Sequence, residues 1–132
     1  MNDPGKIIVL GDGGHASSVA EAAAAAGFTV LELLSIARED DSLVTLQSQV
    51  ESFDLAAVSI ALGVGENFFR ATVYQTMIGR FAHAKFPPVV HPAAWISPSA
   101  SMSAGSVVLA QCSVGAGAQL GLGSLLNTGA SV

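Results

Sequence analysis

The sequence predicts an α/β Rossmann-like domain followed by a partial left-handed parallel β-helix, and three observations support this fold class. Near the N-terminus, a glycine loop separates a short apolar segment from an alanine-rich helical segment. All Asp, Glu, Lys and Arg residues lie between Asp3 and Lys85. The uncharged remainder repeats every six residues, a period that suits neither an α-helix nor a simple strand. We therefore expect the Rossmann-like domain over residues 1–86 and the incomplete β-helix over residues 87–132.

The first domain begins with a strand, a glycine loop and a helix. Residues 7–10 form a short β-branched apolar run, as buried parallel strands do. Residues 11–14 break this run, and a helix is expected over residues 16–26, before Gly27 in an αL cap. Residues 28–36 follow as a second strand. A strand–helix–strand unit of this length predicts a right-handed crossover and a parallel sheet.

A second helix and a third strand are expected next. After a charged loop over residues 38–42, residues 43–53 show the apolar spacing of a short amphipathic helix. Residues 55–62 read as a third buried strand, which ends at the glycines of residues 63–65. The first domain therefore alternates strands with helices.

A third helix and a connector complete the first domain. Asn67 is expected to cap this helix, which should run to about Ile78 and stop at Gly79. Residues 81–86 are expected to form a further strand or an extended connector. The proline pair that begins at Pro87 then marks the domain boundary.

The glycine loop has two interpretations. Gly11, Gly13 and Ala16 fit the loose dinucleotide fingerprint, in which absent Cβ atoms let backbone N–H groups approach a pyrophosphate. The alternative is a tight strand-to-helix turn of any α/β domain, and the strand–helix setting favours phosphate binding. An NAD enzyme would also need an acid at the end of the second strand. Glu32 lies in the middle of that strand, which argues against an ordinary NAD site.

His15 follows the glycines at the start of the helix. An imidazole there would donate a hydrogen bond to a phosphate or a sugar, while the helix dipole disfavours its cationic form. A first-turn polar residue that faces water is an equally good account of the same position.

The six-residue repeat places bulky and small residues in two columns. The bulky column is Val90, Ile96, Met102, Val108, Val114, Leu120, Leu126 and Val132. The small column is Ala94, Ala100, Ser106, Cys112, Ala118, Ser124 and Ala130. One bulky and one small inward side chain form one flat side of a triangular coil, and three sides of about 18 residues form one turn.

The repeat also predicts details of the second domain. Gly115, Gly121 and Gly129 are expected at corners where a positive φ is useful. Cys112 lies in the small column, so an inert buried thiol is favoured over a nucleophile. An uncharged surface would be poorly soluble, so we expect partner subunits or further chain to cover part of it. Because the repeat stops at an inward position, Val132, we expect a truncated β-helix.

Composition narrows the functional classes. The chain is 51% hydrophobic and 11% charged, which is typical of a globular protein. A formal charge of −5 with only five Lys and Arg residues argues against a nucleic-acid partner. No apolar stretch reaches the roughly 18 residues of a membrane span, and the N-terminus lacks the features of a signal peptide. Together with a single cysteine, these features predict a cytoplasmic protein that binds small molecules.

In combination, these segments resemble the bacterial sugar acyltransferases of the sialic acid O-acetyltransferase type, including enzymes that N-acetylate nucleotide-linked amino sugars. The resemblance covers nearly the whole chain. It is carried by Ile8-Val-Leu-Gly-Asp-Gly-Gly-His-Ala16, Ile60-Ala-Leu-Gly63, Val90-His-Pro-Ala-Ala94, Ile96-Ser-Pro-Ser-Ala100 and Leu126-Asn-Thr-Gly-Ala-Ser-Val132. These segments are specific jointly, and none of them suffices alone.

The resemblance implies a function and a set of partners. The N-terminal domain would hold a nucleotide sugar near the glycine loop, and the β-helix would assemble as a homotrimer. Acetyl-CoA would bind as acyl donor in the groove between neighbouring helices, with no metal. The implied substrate-binding residues are Gly11, Asp12, Gly13, Gly14, His15, Gly63 and Asn127.

The resemblance also implies what this chain lacks. The family's general base is a histidine just after the Asn-Thr-Gly-Ala-x-Val segment, so we expect it beyond Val132 and assign no catalytic residue here. The chain is thus expected to bind but not to catalyse. His91 is expected to be a structural turn residue. Residues 35–38 depart from the family, whose members usually carry Asp residues there that help to hold the nucleotide.

Other functional classes compete with this interpretation. A non-catalytic nucleotide-binding and trimerisation module would use the same features. A nicotinamide oxidoreductase rests on the glycine loop alone and leaves the repeat unexplained. A γ-type carbonic anhydrase would need three histidine ligands, and the repeat contains only His91.

Overall fold

The first part of the chain folds around a three-stranded parallel sheet, in a computed structural model that describes residues 3–37, 39 and 43–132. The strands are β1 (Lys6–Leu10), β2 (Thr29–Leu34) and β3 (Val58–Leu62), in the order β2-β1-β3. The central strand β1 is covered on both faces, and its last four side chains are fully buried. This burial explains its continuous apolar run.

Helices cover the two faces of this sheet. They are α1 (Gly14–Ala25), α2 (Val44–Glu51) and α3 (Asn67–Arg80). Ile7 and Val9 pack with α1, while Ile8 and Leu10 pack with α2 and α3, because alternate side chains of a strand point to opposite faces. None of these described helices is long and apolar enough to cross a membrane.

The predicted helix ends are correct in part. Gly27 has a φ of 103° directly after α1, so it ends the helix as predicted. Asn67 is not the cap of α3, because the carboxylate of Glu66 accepts hydrogen bonds from the N–H groups of Phe68 and Phe69. Gly79 does not end that helix, which continues to Arg80. A glycine inside a helix costs only about 1 kcal/mol, and α3 tolerates it.

The third strand and the connector also differ from the prediction. β3 begins at Val58 rather than at residue 55, because the carbonyl of Asp54 accepts the N–H groups of Ala57 and Val58 in a turn. Residues 81–86 contain no strand. They form a connector, which is the second of the two alternatives predicted for this segment. The predicted charged loop over residues 38–42 lies outside the described residues except for Glu39.

The repeat region (residues 87–132) consists of short parallel strands. They are β4 (Val89–Val90), β5 (Trp95–Ile96), β6 (Ser101–Met102), β7 (Val107–Val108), β8 (Ser113–Val114), β9 (Gln119–Leu120) and β10 (Leu125–Leu126). Each strand pairs with the third strand along the chain, as Val89 does with Val107. The chain therefore follows three sides in succession and then returns to the first.

The two predicted columns of the repeat region pack together in one hydrophobic cluster. This cluster contains the bulky positions from Val90 to Leu126 and the small positions Ala94, Ala100, Cys112, Ala118 and Ala130. Val132 was predicted for the bulky column, but it is 56% exposed, although its N–H still donates to the carbonyl of Ser113. The six-residue pattern thus identifies the interior of the repeat region correctly apart from its last member.

The corners of the repeat region are shifted from their predicted positions. From residue 105 onward, one residue in every six has a positive φ, namely Gly105, Gln111, Gly117, Gly123 and Gly129. The prediction is therefore confirmed for Gly129 and wrong for Gly115 and Gly121. From Ser106 onward, the left-handed residue is the one directly before each small inward position, whereas Gly115 and Gly121 follow a bulky position. Ala93 and Ser99 precede the first two small positions, and they do not have a positive φ.

The repeat region packs directly against the first part of the chain. Val89, Val107 and Leu109 share a buried cluster with Ile7 and Val9 of β1 and with α1. The alanines of α1 leave little side-chain bulk between the helix and these strands. The position of α1 is therefore fixed from two directions, by the sheet and by the repeat region.

Candidate functional site

A crevice lies where the sheet connections change direction. From β1 the chain passes through α1 to β2 on one side, and from there through α2 to β3 on the other side of β1. The carboxyl ends of β1 and β3 are therefore neighbours whose following segments diverge. In open parallel sheets, ligands bind at this topological switch point.

The crevice has a volume of about 320 Å³. It is lined by Gly11, Asp12, Gly13, Gly14, His15, Ala16, Ile36, Gly63, Val64, Gly65 and Phe69. Six of the seven predicted binding residues are thus brought together, and Asn127 is not among them. The sequence prediction missed Ile36, Val64 and Phe69, which are ordinary apolar residues with no local sign of such a role.

Gly11 and Gly63 meet backbone to backbone at the base of the crevice. A Cβ atom on Gly11 would lie 2.7 Å from the carbonyl oxygen of Gly63, and Gly11 has a φ of 122°. A Cβ atom on Gly63 would lie 2.7 Å from Cγ1 of Val9 and 2.9 Å from Cβ of Ala16. The N–H of Gly63 also donates to the carbonyl of Leu10 at 2.9 Å. These two glycines are therefore required by the fold itself.

Gly13 and Gly14 differ from that pair, because the fold does not require them to be glycine. No described atom lies within 4 Å of a Cβ built on either residue, and Gly13 has an ordinary φ of −83°. Gly13 is the N-cap of α1, and no side chain caps the first turn of this helix in the described structure. Free N–H groups at a helix N-terminus stabilise an anion, so this edge of the crevice suits a phosphate.

Asp12 carries the acidic group of the crevice. Its Oδ2 accepts a hydrogen bond from Oγ of Ser35 at 2.8 Å, which joins the segments that follow β1 and β2. A carboxylate would repel a phosphate but accept a hydrogen bond from a hydroxyl or a ring N–H. Glu32, the acid weighed for an NAD site, is exposed on β2 opposite Ile8 and does not line the crevice.

His15 contributes a half-buried imidazole to the wall of the crevice. Its ring lies 3.4 Å from the Cβ position of Gly65. Burial lowers the pKa of His15, and the positive charge of Arg70 lowers it further, so the ring is neutral at pH 7. Its buried Nε2 has no hydrogen-bond partner among the described residues. A buried unpaired nitrogen is costly, and a ligand or water that paired with it would remove that cost.

Asn127 lies in the repeat region, away from the crevice. Its side chain is exposed, and its carbonyl accepts the N–H of Ala130 at 3.0 Å and the thiol of Cys112 at 3.0 Å. Cys112 is a buried free thiol, in agreement with its predicted structural place. The neighbouring Thr128 borders a separate groove.

That second groove has a volume of about 230 Å³ and lies between α1 and the repeat region. It is lined by Ser18, Glu21, Ala22, His91, Leu109, Ala110 and Thr128. Nδ1 of His91 accepts the N–H of Ala93 at 2.9 Å, which confirms the predicted turn role. Within the described ranges, no three His, Cys, Asp or Glu side chains cluster as metal ligands would.

The fold and the crevice define a Rossmann-like α/β protein whose switch point suits a phosphate-bearing ligand. The chain belongs to the PglD N-terminal domain family, whose model matches residues 6–77. The predicted resemblance to bacterial sugar acyltransferases is thereby confirmed. A search of the curated proteins finds no match.

Solved structures of acetyltransferases are similar to this chain over most of its length. The acetyltransferase domain of PglB from Neisseria gonorrhoeae is 32% identical, with a TM-score of 0.80 over 96% of this chain and 64% of that one. The same domain has also been solved in complex with acetyl coenzyme A. PerB from Caulobacter crescentus, in complex with CoA and GDP-perosamine, is 26% identical, with a TM-score of 0.74 over 98% of this chain and 63% of that one. The chain thus spans less than two thirds of the length of these relatives.

We predict that Gly63→Ala lowers the free energy of unfolding by about 1–3 kcal/mol, the usual effect of overpacking. The added methyl group would overlap Val9, Ala16 and the carbonyl of Leu10, and the side chains of Val9 and Ala16 are fully buried. Gly14→Ala is the matched control and should leave stability unchanged or raise it slightly, since Gly14 is the first residue of α1 and a Cβ atom there has open space. Urea denaturation measures both. Equal losses of unfolding free energy in the two variants would contradict the conclusion that the fold requires glycine at position 63 in particular.

We also predict that the protein loses stability as the pH falls below 6.5, the ordinary pKa of histidine. The folded state holds the pKa of His15 below that value, so the unfolded state binds more protons and stability rises with pH through this window. His15→Gln should flatten this dependence, and His83→Gln, at an exposed histidine, should leave it in place. Urea denaturation at several pH values between 5 and 7.5 would measure it. An unchanged slope in His15→Gln would count against the burial of this ring.

Proposed function

We propose that the crevice binds the diphosphate of a nucleotide sugar, and that the intact protein transfers an acyl group from acetyl-CoA to that sugar. The observation that carries this proposal is the uncapped N-terminus of α1, bordered by Gly13 and Gly14 with open space beside both. The relatives support the chemistry, because PerB was solved with CoA and GDP-perosamine and the PglB domain with acetyl coenzyme A.

Each residue of the crevice has a distinct role in this proposal. Backbone N–H groups at Gly13 and Gly14 donate to the diphosphate oxygens, since no side chain stands between them and the ligand. His15 remains neutral and pairs its ring nitrogen with the ligand. Asp12, held by Ser35, accepts hydrogen bonds from sugar hydroxyls or from the base. Gly11 and Gly63 shape the site without touching the ligand.

The transfer itself would be a direct attack of a sugar amine or hydroxyl on the thioester carbonyl, which forms an amide or ester bond, breaks the C–S bond and releases CoA as the thiol. Such an attack needs a base to take the proton from the nucleophile and donors to stabilise the oxyanion. In our proposal, Asn127 and the exposed residues around it border the acceptor group, as the family motif implies. The ring nitrogen Nδ1 of His91 is already occupied by the turn at Ala93, so we do not assign this histidine as the base.

Acetyl-CoA would bind along the repeat region. Residues 87–132 contain no charged side chain, so their contacts with this donor would be made by backbone amides and uncharged side chains. The donor supplies the acyl group, and the described residues would orient it without a metal. The strongly exposed Trp95 and Leu122 belong to the same region and suit contact with another copy of the chain.

We further propose the architecture in which this reaction takes place. Residues 1–86 would form the nucleotide-sugar-binding domain, and residues 87–132 would form part of a left-handed parallel β-helix that assembles as a homotrimer. The return of the chain after three sides and the positive φ at every sixth residue from Gly105 to Gly129 support the β-helix. The free thiol of Cys112 suits a cytoplasmic location.

The binding step is tested by titration with UDP, GDP and their sugar derivatives in a calorimeter. Wild-type protein should bind at least one of them, and Gly13→Ala should weaken that affinity about tenfold, a loss of about 1.4 kcal/mol. Gly79→Ala is the control, because it also adds a methyl group in open space but lies in α3 outside the crevice. Absence of binding by the wild type, or an undiminished affinity of Gly13→Ala, would contradict the proposal.

The alternative of a non-catalytic nucleotide-binding and trimerisation module shares this crevice. The two functions differ only in acyl transfer, so an assay of the intact protein with acetyl-CoA and a nucleotide-linked amino sugar separates them. Release of free CoA thiol supports the transferase. Binding without any release supports the module.

A further inference from the structure

Arg70 lies buried between the crevice and the repeat region. It is in the first half of α3, and its side chain is only 8% exposed. Nε donates to the carbonyl of Gly123 at 2.8 Å, and Nη2 donates to Oδ1 of Asn67 at 2.8 Å. Nη1 donates to the carbonyls of Val64 at 3.3 Å and Gly65 at 3.2 Å. One guanidinium thus joins the segment after β3 to a corner of the repeat region.

No carboxylate in the described part of the chain is in direct contact with this cation. Among the described side chains, the ion pair that meets the usual distance limit is that of Arg80 with Glu51, which is at the surface. Burial lowers the pKa of Arg70, and the nearby charge of Glu66 acts in the opposite direction. Burying a charge against neutral carbonyls is costly, and an apolar side chain of similar size would often stabilise a fold better. Stability alone therefore does not explain an arginine at this position.

The contacts of Arg70 lead directly to the crevice. Val64 and Gly65, whose carbonyls it holds, line the crevice, and the His15 ring lies against Gly65. At its other end, Arg70 is fixed to Gly123, a corner residue with a φ of 65°. The charge of Arg70 also lowers the pKa of His15. This one side chain thus holds the wall of the crevice, and its charge adds to the larger effect of burial on the pKa of His15.

We propose that Arg70 is a positioning residue, which fastens the Val64–Gly65 wall of the crevice to the Gly123 corner and thereby couples ligand binding to the packing of the repeat region. Lysine has one ammonium group and no planar fork, so it would not hold Gly123 and the Val64–Gly65 carbonyls together. Because coupling between two sites is reciprocal, a ligand in the crevice also stabilises the junction at Gly123. The affinity part of this inference rests on the proposed nucleotide binding, and the structural part does not.

Two variants of Arg70 separate its geometry from its charge. Arg70→Lys retains the charge and loses the fork, and Arg70→Met loses both at similar length. In the ligand-free protein, hydrogen exchange at the amides of Gly63 and Gly123 should rise about tenfold in both variants, as local opening becomes easier. The pKa of His15, followed by NMR, should rise in Arg70→Met and change little in Arg70→Lys. Arg80→Lys, at an exposed arginine of the same helix, is the control and should change neither.

Affinity for UDP or GDP provides the functional readout. Both Arg70 variants should bind about tenfold more weakly than the wild type, and Arg80→Lys should bind as the wild type does. Unchanged hydrogen exchange at Gly63 and Gly123 in Arg70→Lys would overturn the inference. An unchanged affinity for the nucleotide in a variant whose hydrogen exchange is raised would overturn it as well. If the wild type bound neither nucleotide nor any of their sugar derivatives, the proposed function would fail, and the exchange and NMR data would still decide the structural part. If Arg70→Met did not fold, Arg70→Lys would decide alone.

Discussion

The contact between the backbones of Gly11 and Gly63 is the constraint on which the rest of the structure depends. It brings the carboxyl ends of β1 and β3 together with no side chain between them. Ala16 lies in the same contact, so the start of α1 is held at the same point. A larger residue at either glycine would push the helix away from the sheet. The crevice exists because these three positions carry almost no side chain.

A second constraint joins the α/β part to the repeat region. Apolar packing of Val89, Val107 and Leu109 against β1 and α1 supplies most of this contact. Arg70 adds a polar link at a different place, from the wall of the crevice to the corner at Gly123. The first contact is non-directional, while the second depends on the position of individual atoms. Their combination explains how a site at the sheet edge would respond to the repeat region.

Periodic features were the easiest to predict from the sequence. The inward columns repeat at a fixed spacing, so each turn of the chain supports the same assignment, and the structure packs them together. The strand–glycine loop–helix segment was also clear, because a parallel strand and an alanine-rich helix differ in composition. Five of the six predicted binding residues that share the crevice lie in this segment, and the sixth, Gly63, directly follows β3. Asn127 was predicted from the resemblance alone and does not line this crevice, so its role stays a prediction.

Features set by single contacts were harder to predict. A glycine indicates a turn but not which residue of the turn takes the positive φ, and at Gln111 no glycine marks the corner. Glu66 is an uncommon cap, so Asn67 was the natural but wrong choice. The sequence did not indicate a special role for Arg70, which lies in an ordinary amphipathic helix. Its partner Gly123 is 53 residues away along the chain, so no local pattern links the two.

The central proposal, a nucleotide diphosphate held at the N-terminus of α1, is tested most directly by mapping amide chemical shifts during titration with UDP and GDP. The account predicts that the largest changes fall on residues 11–16 and 63–65, with smaller changes at Gly123 through Arg70. Changes confined to the groove formed by Ser18, His91 and Thr128 would contradict it, because the ligand would then occupy the other side of α1.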